Sequence, residues 1–193
     1  IMSTIAAPLG LLDIFFVSSY WQPTTLFNIP IGIEGIIFSF EIGGIAAVAY
    51  AELTHRVPIK IKKHHKKFSL SLLLLLAPLI TLLYLNKFPN IMLATYVGLI
   101  IGISCIVYIR KDLLDSALKG AITFGGIYFV CFVVLVAIFP GVSNWFTLQN
   151  LPRLYILNVP VYEVIFAILF AAYWGNLYEV LFQYKFRKLT SRS

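Results

Sequence analysis

The chain has 193 residues, of which 60% are hydrophobic and only 12% charged, with a mean hydropathy of +0.91. A soluble domain is about 45–50% apolar and about 25% charged, so this composition excludes one; at about 20 residues per span there is room for roughly five or six transmembrane helices and no appended soluble catalytic domain. The net charge of +7 would suggest nucleic acid in a soluble protein, but in a membrane protein it is first an orientation signal.

Taken in order, the run Ile1 to Val17 is apolar but interrupted by Pro8, Gly10 and Asp13. It lacks the basic n-region of a signal peptide and reads as the short form or remains of a first transmembrane helix. A polar, Pro-bearing stretch, Ser18 to Pro30, leads to a second span over Ile33–Leu53, which ends in the basic loop His55 to Lys67. A third span is predicted over Phe68–Leu85, followed by a turn at Asn86–Asn90. The fourth covers Ile91–Ile109 and stops at Arg110-Lys111-Asp112, and the fifth covers Leu114–Phe139 and stops at Pro140-Gly141. The loop Val142–Asn158 precedes a last span, Val161–Phe182, and a basic tail. Cys105 and Cys131 each sit in an apolar run, without the spacing of a disulfide framework or a zinc site, and read as small packing residues. Gly43-Gly44 and Gly125-Gly126 read as sites of close helix packing.

Lys and Arg alternate by side. Arg56, Lys60, Lys62, Lys63, Lys66 and Lys67 lie in one loop, Arg110, Lys111 and Lys119 in another, and Lys185, Arg187, Lys188 and Arg192 in the tail, whereas the intervening connections hold only Lys87 and Arg153. This positive-inside bias predicts cytoplasmic basic loops and a cytoplasmic C-terminus, with Ser18–Pro30 and Val142–Asn158 outside, in an integral, multi-pass protein of the plasma membrane. The run Lys62-Lys63-His64-His65-Lys66-Lys67 then reads as a topological anchor with some attraction for lipid headgroups rather than a metal or nucleic-acid site.

The two halves share a motif. Asn28-Ile29-Pro30-Ile31-Gly32-Ile33-Glu34 and Asn158-Val159-Pro160-Val161-Tyr162-Glu163 both read Asn, β-branched, Pro, β-branched, then a Glu, with Phe38 or Phe166 one turn further on. Two three-helix units in parallel orientation, residues 1–86 and 87–193, would put both motifs on the outer side. Of the acids, Asp112 and Asp115 belong to a charged turn, Glu52 and Glu179 lie near the cytoplasmic helix ends, and Asp13 sits near the outer end of the first span, placed to cap or to bond a loop. Glu34, Glu41 and Glu163 remain, and an ionisable group in the hydrocarbon costs at least about 2.5–3.5 kcal/mol on insertion scales. Glu34 and Glu41 fall within about 20° of each other and about 10 Å apart in depth, a stripe that should face protein or a cavity. Glu163 shares its face with Phe170, Trp174 and Leu177. An apolar, aromatic-walled cleft with carboxyls at its outer end suits proton delivery and shielding of a cation. Interaction with the first-turn N–H groups of a helix accounts equally well for Glu34 and Glu163, but not for Glu41.

Trp21-Gln22-Pro23, Pro30-Ile31-Gly32-Ile33-Glu34, Phe38-Ser39-Phe40, Gly43-Gly44-Ile45-Ala46-Ala47-Val48, Tyr50-Ala51-Glu52, Pro160-Val161-Tyr162-Glu163 and Phe166 together resemble the lycopene cyclase domain family of small integral-membrane carotenoid cyclases. The resemblance implies cyclisation of the ψ-ends of lycopene without flavin, other cofactor or metal. It implies Glu34 and Glu163 as the acid and base, Glu41 as a supporting carboxyl, and Pro30, Phe38, Pro160, Phe166 and Trp174 along the polyene. The sequence departs from the family motif in one respect: the second of its two adjacent acids is replaced by Gly35 in the first copy and by Val164 in the second.

The fold class expected is thus all-α, a polytopic bundle of about six transmembrane helices in two homologous units. The expected partners are lycopene or a related polyene, the lipid membrane and, in a homo-oligomer, further copies of the chain, with no nucleic acid. Two alternatives stay open: a non-catalytic carotenoid-binding or isoprenoid-binding subunit, and a small proton-coupled carrier.

Overall fold

A computed structural model describes residues 1–17, 19–27, 29, 32–61, 78, 80–81 and 90–188. The described residues form an all-α bundle with two short strand pairs at its ends, and four of the helices are long and apolar enough to cross a membrane. Helix α1 (Met2–Ala6) runs through a 3-10 stretch (Ala7–Leu12) into α2 (Asp13–Phe16). The tightening falls where Pro8 contributes no N–H to the ladder and Gly10 weakens helix preference. At about 1.5 Å per residue this first segment is shorter than the roughly 30 Å of hydrocarbon. The long helices are α3 (Ile33–Leu53), α4 (Ile91–Ile109), α5 (Leu114–Ile138) and α6 (Val161–Leu181). The expected third span, Phe68–Leu85, lies almost wholly outside the described residues.

Side-chain size, rather than apolarity, decides which face of α3 turns inward. Its buried residues are Gly35, Gly43, Ala46, Ala47, Ala49 and Ala51, while Ile33, Ile37, Phe38, Phe40, Ile45 and Val48 point out. Small residues let backbones approach, which is how helices associate in lipid, where apolar surface alone gives no preference. A Cβ on Gly43 would collide with Ala6, and one on Gly44 with Ser3, so α1 lies directly on α3. Gly125 on α5 similarly makes room for Ile168 of α6, but Gly126 beside it faces open space. The main core gathers Ala6, Ala46, Leu99, Ile106, Phe124, Phe170, Trp174 and Leu177 from α1 and the four long helices.

The connections collect at two opposite ends. At one end, strand β1 (Arg56–Lys60) pairs antiparallel with the tail strand, β4 (Tyr184–Lys188), in the register Arg56↔Lys188 to Lys60↔Tyr184. Asp112, in the turn between α4 and α5, accepts hydrogen bonds from Arg110 at 2.9 Å and from Lys185 at 3.1 Å. The three basic segments therefore share one end. At the other, Gln22 N–H donates to the Trp145 carbonyl (2.6 Å), Thr147 N–H to the Tyr20 carbonyl (2.9 Å), and the Asn90 amide to the carbonyls of Ser19 (3.1 Å) and Gln149 (2.6 Å). Asn90 also caps α4, its side-chain oxygen accepting from Met92 N–H at 2.8 Å.

One pattern recurs along the chain. Helix Ile33–Leu53 and strand Arg56–Lys60 are followed by Val161–Leu181 and Tyr184–Lys188, each 128 positions on (33 to 161, 56 to 184). Phe38 then corresponds to Phe166 and Tyr50 to Tyr178, and Glu163 falls on Gly35, one residue beyond Glu34.

Candidate active site

The start of α6 is set by a two-residue hairpin. Strand β2 (Tyr155–Ile156) pairs with β3 (Val159–Pro160) in the register Ile156↔Val159, leaving Leu157 and Asn158 at the tip with φ of 49° and 63°. Both tip residues are left-handed, as this short turn demands; Asn tolerates that conformation, whereas Leu bears a strain of roughly 1–2 kcal/mol. Pro160, buried, precedes the first helical residue and fixes the direction of entry. Glu163 thereby enters the first turn of α6 pointing into the bundle, where it is only 8% exposed.

Three tyrosines surround this carboxylate. The Tyr128 hydroxyl, from α5, donates to Glu163 Oε2 at 2.6 Å. The Tyr20 ring, from the loop after α2, is 2% exposed, and its hydroxyl faces Glu163 without completing a hydrogen bond of ordinary geometry. Burial, and then the negative charge of Glu163, hold the Tyr20 phenol far above its ordinary pKa, so it meets the carboxylate as an O–H donor. Tyr96, from α4, donates to the Tyr162 carbonyl at 2.7 Å and lies within electrostatic reach of the same carboxylate.

Below Glu163 runs an aromatic row at helical spacing. Phe166 stacks on Phe170 with centroids 5.6 Å apart, and Phe170 on Trp174 at 5.6 Å. Phe124 of α5 tilts against both Phe170 and Tyr128, and Tyr128 leads on to Phe132 and Phe146. Trp174 ties the row to α3, its indole N–H donating to the Gly43 carbonyl at 2.9 Å. The quadrupoles of these rings present negative faces, an environment suited to a transient cation.

The sequence-predicted residues divide. Glu163, Pro160, Phe166 and Trp174 come together on the entry turn and inner face of α6. Glu34 is exposed, and its carboxylate accepts the Leu26 N–H, holding the preceding loop to the first turn of α3. Glu41 and Phe38 lie on the outward face of α3 as well. The Glu34/Glu41 stripe, expected to face protein, instead faces outward in the single chain, because the Gly and Ala side of α3 occupies the packed position. Among the described residues no hydrogen bond or ion pair links either of them to Glu163. Pro30 lies outside the described residues. Asp13, expected to cap or to bond a loop, stands in the first turn of α2, and its side chain makes no hydrogen bond among the described residues. Among the described residues no three His, Cys, Asp or Glu side chains gather as metal ligands would.

Sequence reasoning missed Tyr20, Tyr96 and Tyr128. The available signal was Tyr128, an O–H in the middle of the apolar stretch Ile122–Ile138, where a hydroxyl needs a partner.

Residues 89–181 match the family model described as lycopene cyclase, a stretch that holds α4, α5 and α6 and with them Glu163, Tyr128, Tyr96 and the aromatic row. No curated protein and no solved structure matches the chain. The family match supports a carotenoid cyclase role, and the long apolar helices support a membrane setting.

Proposed function

We propose that this chain, whose residues 89–181 belong to the lycopene cyclase family, closes the ψ-ends of lycopene or a related polyene into rings by proton-initiated chemistry within the bilayer. The observation that carries the reading is Glu163, a buried carboxyl bonded by Tyr128 at the head of a stacked aromatic row, inside the matched segment. Ring closure begins when a carboxylic acid adds its proton to the terminal C=C. A neighbouring double bond then attacks the cation to form the ring C–C bond, and a carbon beside the resulting cation gives a proton to a carboxylate. Substrate and product are isomers and no electrons change hands, so the step needs no flavin or nicotinamide; the enzyme is an intramolecular lyase, or isomerase, acting on an isoprenoid.

Glu163 performs one of the two proton steps, with Tyr128 orienting its carboxyl and Tyr20 presenting a second buried donor toward it. Phe166, Phe170 and Trp174 flank the cation. Pro160 fixes the approach of Glu163, and Pro30 has the corresponding place in the first motif. The motif alone would offer Glu34 and Glu41 for the opposite proton step, but both lie with Phe38 on the outward face of α3, so that step needs a carboxyl turned toward the bundle. The basic end bearing β1 and β4 is assigned to the cytoplasmic side of the plasma membrane, in keeping with the positive-inside rule.

Expression in lycopene-accumulating bacteria, with chromatography of the pigments, tests the reading. The expected outcome is conversion to cyclised carotenoid. Lycopene alone, with the protein present in the membrane, would reject it in favour of a non-catalytic isoprenoid-binding subunit, the reading that the missing acids at Gly35 and Val164 favour.

A further inference from the structure

We propose that Asp13 is the second proton-handling carboxyl of this site, the counterpart in the first half of the chain to Glu163 in the second. The inference rests on the cyclase reading above and goes beyond it by naming a residue outside both sequence motifs and outside the family-matched segment.

Asp13 is the one charged side chain between Ile1 and Gln22. A carboxyl in such a segment has to be compensated, and structural carboxyls are compensated by a cap, an ion pair or a hydrogen bond. Asp13 stands at the first position of α2, and among the described residues its side chain makes no hydrogen bond and no ion pair. What it has is a place. Its carboxylate lies on the first turn of α3 against Gly35, where a Cβ on residue 35 would collide with Oδ2. Gly10, one turn earlier, also lies against Gly35, so two glycines bring the helices close enough for Asp13 to lie there.

Gly35 is the position that corresponds to Glu163 in the recurring helix-and-strand pattern. In the second half the acid stands on the later helix and meets Tyr128 of the preceding one. In the first half the later helix carries glycine and the preceding segment carries the acid. A carboxyl thus lies against the position that corresponds to Glu163, borne by the preceding segment instead of the helix itself. Asp13 also stands at the Glu163 end of the bundle: its neighbours Leu12, Phe15 and Phe16 pack against the cluster that holds Tyr20 and Tyr162 and is joined by Phe166.

Cyclisation needs two carboxyls in opposite states. One gives its proton to the terminal alkene and ends as carboxylate; the other, initially ionised, takes the proton lost from the ring cation and ends as acid. The pair then exchanges one proton with water to reset, and the polyene keeps its atoms. Asp13 and Glu163 are the two groups.

The test uses the full chain in lycopene-accumulating bacteria, with membrane levels measured by immunoblot. Asp13→Asn is expected to lower cyclised product by about 100-fold at normal protein level, and Asp13→Glu to retain a measurable part. Because Asp13→Asn alone could act through packing, the deciding variants move the acid across the contact. Asp13→Gly combined with Gly35→Asp is expected to restore at least about a tenth of wild-type product, whereas Asp13→Gly combined with Gly35→Asn is not. Equal restoration by Asp and Asn at position 35, or an Asp13→Asn variant within about threefold of wild type, overturns the assignment while leaving the cyclase reading intact. A wild-type chain that makes no cyclised product overturns the cyclase reading, and the assignment falls with it.

Discussion

The same helix-and-strand pattern occurs twice, but the first turn of its helix differs between the two halves. In the second, α6 enters through a hairpin that aims Glu163 inward onto Tyr128, above Phe166, Phe170 and Trp174. In the first, α3 enters with Gly35 at the corresponding position, and its nearby carboxylate, Glu34, turns outward to hold the Leu26 N–H. One half holds a carboxyl on its own helix, while the other leaves a gap that a neighbouring segment fills. A motif shared in sequence can therefore differ by one residue in helical phase, about 100°, which is enough to exchange an inward carboxyl for an outward one.

The largest effect is expected at Glu163. Glu163→Gln should lower cyclised product by at least about 100-fold without loss of protein from the membrane; wild-type turnover would remove the second half's carboxyl from the mechanism. Tyr128→Phe should follow, with a loss of about 10-fold or more, because a hydrogen bond to a charged group contributes about 1.5–3 kcal/mol and the carboxyl loses its fixed direction. Product rates measured at matched membrane levels would check this. Glu34→Gln should fall well short of both, within about threefold of wild type, since the amide oxygen can still accept from Leu26. A collapse of activity in that variant would restore Glu34 as the first half's reacting group. Trp174→Phe keeps the stack but loses the bond to the Gly43 carbonyl, and should lower stability by about 1–3 kcal/mol, read as a lower midpoint of thermal unfolding in detergent. The smallest effect is expected at the basic end. Lys185→Ala removes an exposed ion pair with Asp112, and should shift the same midpoint by less than about 1 kcal/mol's worth.

The boundaries of α3, α4 and α5 were legible because each has a local cause. Asn90 caps α4, Pro140 follows the end of α5, and Ile33–Leu53 and Ile91–Ile109 begin and end as the apolar runs do. Glu163, Phe166 and Trp174 were legible because spacings of three and four share a helix face. The orientation of α3 was not. Its surface is apolar nearly all round, so hydrophobic patterning gives no face, and the informative signal was residue size: Gly35, Gly43, Ala46 and Ala47 mark the packed side and leave Glu34 and Glu41 outside. The β1–β4 pairing was equally hidden, because Arg-Val-Pro-Ile-Lys contains a proline and its partner lies at the far end of the chain. The Tyr20 contact with the Glu163 environment depends on the Tyr20 and Trp145–Thr147 loops meeting, which is a tertiary event.

The ladder between Arg56–Lys60 and Tyr184–Lys188 has a consequence for the order of assembly. Synthesis releases the first strand early and its partner only after α4, α5 and α6 have been made, so the first strand waits with its N–H and C=O groups bound to water. Pairing becomes available only when those helices have brought both ends of the ladder to one side of the bilayer. Protection of the ladder from hydrogen exchange is therefore expected to appear only once α6 is in place.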